Sequence, residues 1–276
     1  MVAELLTELL PAQYQASATS VCSPSAATRA RESDLLVLCF PTYFLRPAPS
    51  MMEFAGRLGP FDPPRPAYIV ATYELYTENA IRALAVKLKE RGVFVVGSKA
   101  VRAPGTDVTC LVPARLCPWL YRFEHGLTRK MTEIAEELSS CADASSDVLA
   151  KKARIPSIKW YTPFAQALQV LAFNRFEAWR WKFRSLPDRC TLCGACVRSC
   201  HRRAWEISGG AATHVPERCE LCTRCVHNCP QRAIVLAEVL KDNKRLDSRL
   251  YASLKIDARR RLSGDARADS AEGLAR

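Results

Sequence analysis

Eight cysteines crowd between Cys190 and Cys229 of a 276-residue chain, and no other feature restricts the fold as much. They form two runs with one spacing, C-x2-C-x2-C-x3-C: Cys190, Cys193, Cys196 and Cys200, then Cys219, Cys222, Cys225 and Cys229. The runs are offset by 29 residues, and their neighbours keep that offset: Arg189 with Arg218, Leu192 with Leu221, Val197 with Val226, Arg203 with Arg232, Ala204 with Ala233. A short apolar segment follows each run, at 204–207 and 233–236. This is an internal duplication, and it predicts a small fold with two-fold symmetry. The remaining five cysteines, Cys22, Cys39, Cys110, Cys117 and Cys141, are scattered and read as small hydrophobes.

Chemistry explains the spacing. Three thiolates separated by two residues can wrap one loop around three corners of an iron–sulfur cubane. A fourth cysteine that opens a departing segment reaches the other cluster. The pattern therefore predicts two [4Fe–4S] clusters with crossed ligands. The first takes Cys190, Cys193, Cys196 and Cys229, and the second takes Cys219, Cys222, Cys225 and Cys200. The rival is a pair of structural zinc sites, which favour separated cysteine pairs over two runs of four. Over about residues 186–238 the sequence resembles bacterial two-cluster ferredoxins, which implies electron transfer. One departure is His201, where the family has proline, as here at Pro230; it reads as a neutral replacement rather than a ligand.

The N-terminal half has three apolar runs, 35–40, 68–72 and 93–97, that do not alternate with polar residues, as expected of parallel strands covered on both faces. Helices are expected over 50–58 and 77–91, the second with Ile81, Leu84 and Leu88 inward and Gly92 as its stop. Strand and helix alternate, so the class is α/β. After the first two strands come Pro41, Thr42, Tyr43 and Phe44, then Thr72, Tyr73 and Glu74. These look like the loops that hold the isoalloxazine ring in flavodoxins, and most of 1–240 resembles flavodoxin–ferredoxin fusions. The resemblance implies FMN at Pro41, Thr42, Tyr43, Thr72 and Tyr73, with a parallel sheet in flavodoxin order.

The phosphate loop of that family, and the first strand before it, have no counterpart here. No glycine precedes Gly56, and the chain opens in the next helix, with Val2, Leu5, Leu6, Leu9 and Leu10 as its buried face. Residues 13–21 would be the edge strand. Loss of the central strand is expected to expose apolar flanks. Either the natural start lies upstream, or this half no longer binds FMN.

Four regions are expected: an incomplete α/β domain at 1–125, a helical connector at 126–185, the two-cluster domain at 186–238, and a helix with a disordered tail at 239–276. In the connector, 127–138 reads as a helix with Met131, Ile134 and Leu138 inward, and 141–147 as a turn. An aromatic helix over 164–183, with Phe173, Phe176, Trp179, Trp181 and Phe183, either docks the two domains or lies on a membrane surface. No apolar stretch is long enough for a membrane span, and the N-terminus lacks a signal pattern, so the cytoplasm is the expected compartment. The net charge is +12. Eight basic residues against two acidic ones gather over 175–203: Arg175, Arg180, Lys182, Arg184, Arg189, Arg198, Arg202 and Arg203. Such a collar suits an acidic redox protein partner. No nucleic-acid signature accompanies it. The four histidines, His125, His201, His214 and His227, form no zinc or triad pattern, so no catalytic residue is assigned. The expected function is an electron carrier; an FMN-dependent oxidoreductase fed by the clusters, or clusters that only staple the domain, are the alternatives.

Overall fold

The computed structural model describes residues 2–43, 45–74, 77, 79–103, 126–158, 160–164, 167, 171, 183–236 and 245. Helix α1 (Val2–Leu9) buries Val2, Leu5, Leu6 and Leu9, the stripe its spacing dictates. Residues 13–21 are not the expected strand. A 3₁₀ turn at Ala12–Tyr14 gives way to irregular chain, held where the Tyr14 hydroxyl donates to the Asp143 carboxylate at 2.9 Å. The stretch is small and polar, so neither face could bury enough to fix it in a sheet. Helix α2 (Ala26–Glu32), which no sequence signal marked, follows it.

Strand β1 (Leu36–Tyr43), a two-residue strand β2 (Arg46–Pro47), helix α3 (Pro49–Arg57), strand β3 (Arg65–Tyr73), helix α4 (Ala80–Lys89) and strand β4 (Val93–Arg102) build the sheet. Its order is β2-β1-β3-β4; β1, β3 and β4 are parallel, and β2 runs antiparallel to β1. Each parallel strand runs longer than its apolar core suggested. Gly92 turns the chain into β4 with φ of 71°, and a Cβ there would lie 2.6 Å from the Phe61 carbonyl oxygen, so only glycine fits.

The sheet is covered on both sides. Leu36, Leu38, Phe40, Ala67, Ile69 and Ala71 pack with α2, α3 and α4. Tyr68, Val70 and Val101 pack with α1 and with helices α5 (Leu127–Ala142) and α6 (Ser146–Lys152). Met131, Ile134 and Leu138 are buried as expected, and α5 continues through Ala142, leaving three residues for the turn before α6. The flank expected to be bare is partly covered: Leu35, Val37 and Cys39 are half-buried against the cluster that includes α1. Among the described residues, 36–41 of β1 pair only with β3.

The cysteine-rich module comprises β5 (Arg184–Ser185), α7 (Ala195–Ser199), β6 (Trp205–Ser208), β7 (Ala211–His214), α8 (Arg224–Asn228) and β8 (Ile234–Val235). The two five-residue helices stand at the 29-residue offset. So do the ladders: Ser185 opposite Ile234 in β5–β8 becomes His214 opposite Trp205 in β6–β7. The duplication read from sequence is thus a pseudo-two-fold of the backbone. Most of the aromatic helix expected over 164–183, the helix over 237–256 and the tail lie outside the described residues, as do Arg175, Arg180, Lys182, Cys110, Cys117 and His125.

Candidate metal centres

The cysteine loops are shaped by backbone that ordinary residues avoid. Leu192, Gly194 and Arg203 have φ of 56°, 71° and 52°; at the same offset Leu221, Thr223 and Arg232 have 63°, 51° and 50°. Left-handed backbone at a residue with a side chain costs of order 1–3 kcal/mol, and it persists where a site needs it. Here it turns amide groups toward sulfur. The Ala204 N–H donates to Cys200 Sγ at 3.2 Å, and its counterpart Ala233 N–H donates to Cys229 Sγ at 3.3 Å. The Leu221 N–H donates to Cys219 Sγ, also at 3.3 Å. Donors aimed at sulfur favour the thiolate that a metal requires.

The eight sulfurs fall into two groups. A small hollow is lined by Cys190, Cys193, Cys196 and Cys229, with Ile207 and Ile234 in its wall. Cys219, Cys225 and Cys200 act on one another electrostatically, with Cys222 beside them. Thus the last cysteine of each run sits with the first three of the other. Burial separates the groups. Cys193 is exposed, and its thiol is lowered chiefly by the Ala195 N–H. Burial pushes Cys222 up to about 11 and Cys225 further, although the Trp205 indole N–H bonds to Cys225 and opposes the shift. Thiols so buried ionise only where a cation takes the proton's place on sulfur and the proton is released to solvent. Two groups of four sulfurs with amide donors around them fit a pair of cubane clusters.

Against the second group lies a polar junction with the α/β unit that sequence reasoning missed. Glu220, between Cys219 and Cys222, is buried. It accepts from the Ser50 backbone N–H (3.1 Å) and hydroxyl (3.3 Å) and pairs with His201 Nε2. Ser50 lies in the first turn of α3, where N–H groups lack helical partners and Pro49 has none to offer. Glu220 therefore caps a helix 170 residues away, with favourable alignment to its dipole. Burial works to raise the Glu220 pKa, but the bonds from His201 and Ser50 outweigh it and hold the carboxyl below its usual range. Beside it Arg202 grips Glu53 with both guanidinium nitrogens, at 2.6 and 2.9 Å. His201, Glu220 and Cys222 have ligand atoms within 4.8 Å of one another, so the histidine read as a neutral replacement is an active member of this junction.

The residues assigned to a flavin meet at the C-terminal edge of the sheet, where α/β proteins bind ligands. Pro41 lies opposite Thr72, and Thr72 opposite Val101. They are strand rather than loop: Thr42 and Tyr43 pair with β2, and Tyr73 closes β3. Tyr43 packs on the apolar core. FMN also needs free amides for its phosphate. The α3 amide beside this edge, that of Ser50, is already spent on Glu220.

Of the basic collar, Arg184, Arg198 and Arg203 are exposed, whereas Arg202 belongs to the junction. Arg198 donates to the Cys193 carbonyl oxygen at 2.8 Å, which places its charge beside the exposed sulfur. No helix among the described residues is long and apolar enough to cross a membrane. Comparison of the chain with models of protein families, with characterised proteins and with solved structures gave no match.

Proposed function

We propose that this chain is an electron-transfer protein whose C-terminal module, like a bacterial ferredoxin, holds two [4Fe–4S] clusters and exchanges electrons with an acidic protein partner. The observation that carries the reading is the grouping of sulfurs: Cys229 among the first three cysteines of run one, and Cys200 among those of run two. Zinc sites built from local cysteine pairs give no reason for that exchange. Bound there, such clusters supply reversible one-electron chemistry at low potential.

The chain's own residues supply position, insulation and access. Amides of Ala204, Leu221 and Ala233 orient sulfurs. Trp205, Val226 and Ile234 exclude water from the interior. Cys193, with Leu192 and Arg198 beside it, opens the first group to the surface. Exposed Arg184, Arg198 and Arg203 would draw an acidic donor or acceptor to that face. The α/β unit, whose parallel strands resemble part of a flavodoxin sheet, serves in this reading as the support on which the module is mounted.

Anaerobic purification with iron and sulfide analysis tests the proposal. About eight of each per chain are expected, with a visible absorbance that bleaches under dithionite. Reduction by an acidic protein donor is expected to slow as salt rises. Zinc in place of iron, or iron that no reductant bleaches, would overturn the reading.

A further inference from the structure

The two copies of the repeat differ at three positions that matter, and all three differences fall on the second group of sulfurs. Glu220 stands where the first copy has Thr191, His201 where the second has Pro230, and Trp205 where the second has Ile234. Glu220 follows Cys219, His201 follows Cys200, and Trp205 packs in one buried cluster with Cys225. Around the first group the equivalent places hold a hydroxyl, a ring without an N–H, and an alkyl chain. Sequence duplication alone would make two like centres; divergence has placed a buried carboxylate, an imidazole and an indole donor around one of them.

We infer, building on the iron–sulfur reading, that the two centres are unequal. Glu220 and Trp205 are positioning residues that set the potential of the second, and the α/β unit takes part through Ser50. Charge and hydrogen bonds near the sulfurs are levers on a cluster's potential. A buried carboxylate disfavours an added electron and lowers it; an N–H to sulfur stabilises the reduced form and raises it. Ser50 moderates the first effect by donating to the carboxylate. The second centre therefore depends on a helix outside its own module. The first, at the surface with Cys193, is lined among the described residues by the module alone.

Redox titration of the full chain, followed by EPR, tests this with three variants, each checked for iron content and for the solution fold by circular dichroism. The wild type is expected to reduce in two resolved steps. Trp205→Phe, which keeps the ring and removes the N–H, is expected to move one step to lower potential. Glu220→Gln is expected to move that same step upward. Ser50→Ala is expected to move it slightly downward, without touching the module's own sequence. In each case the other step stays where it was. Full iron with a single unresolved two-electron step, or variants that shift both steps together or neither, would overturn the inference while leaving the iron–sulfur function intact. Absence of iron from the wild type would instead overturn the function. Should Glu220→Gln lose iron, Ser50→Ala and Trp205→Phe still decide the matter.

Discussion

The α/β unit and the cysteine module solve the same problem, burying enough to overcome chain entropy, with different means. The sheet of the α/β unit is apolar on both faces. Ile69, Val70, Leu84, Leu88, Met131 and Ile134 are fully enclosed, and the helices around them run up to 16 residues. The module has helices of five residues and strands of two to four. Elements that short are unstable alone. Its core is little more than Phe183, Trp205, Ala212, Val226 and Ile234, packed among cysteines. The first unit is held by hydrocarbon. The second carries eight left-handed residues, five of them with side chains, a cost that metal–sulfur bonds would offset under the proposed function.

The largest expected effect separates the two directly. Anaerobic removal of metal by a chelator should abolish amide-exchange protection across residues 186–236, while β1, β3 and β4 keep their slow amides. Equal loss in both units, or equal retention, would break the contrast. Next in size is a cavity in the α/β core. Leu84 is fully buried between α4 and the sheet. Leu84→Ala should cost about 2–5 kcal/mol in urea unfolding of this unit, with iron content unchanged. An equal fall in bound iron would show that the two units do not separate energetically.

The smallest effect lies on the face covered by α5. The Tyr68 hydroxyl donates to Glu137 at 2.6 Å, and Lys99 pairs with the same carboxylate at 2.7 Å. Burial works to raise the Glu137 pKa, yet the Lys99 and Tyr68 bonds outweigh it and hold it below its usual value. A carboxyl depressed in the folded state stabilises above its unfolded pKa, about 4.3 for glutamate, and loses that contribution as pH falls through the folded value. Glu137→Gln should therefore remove part of the acid-side loss of stability in the α/β unit. For so exposed a pair the difference should be at most about 1 kcal/mol. An unchanged acid limb would remove this ion pair from the account of the unit.

Much of the fold was legible because periodicity and burial are local. The apolar runs became β1, β3 and β4; α1, α3, α4 and α5 followed their stripes. What misled was a family resemblance extended to residues without a pattern of their own. The stretch 13–21 was read as a strand from its place in a flavodoxin order, yet its side chains offer no buried face. Tyr43 and Tyr73, expected in loops, lie at the ends of strands, because the hairpin to β2 and the length of β3 draw them into the sheet. Helices α2 and α6 escaped notice because seven residues with few apolar positions carry little periodicity.

By itself the sequence determined the eight candidate ligands, their duplication and the α/β alternation, since each is written in spacing along the chain. The junction around Glu220 was decided only by the tertiary structure. Nothing local announces that a glutamate between two cysteines will cap α3, or that a histidine in place of a proline will pair with it. The first contact joins residues 170 positions apart and exists only because one unit packs on the other; the second joins residues 19 apart, brought together by the fold of the module. The inequality of the two centres follows the same rule: spacing makes the copies alike, and the neighbours that folding brings to the second make them differ.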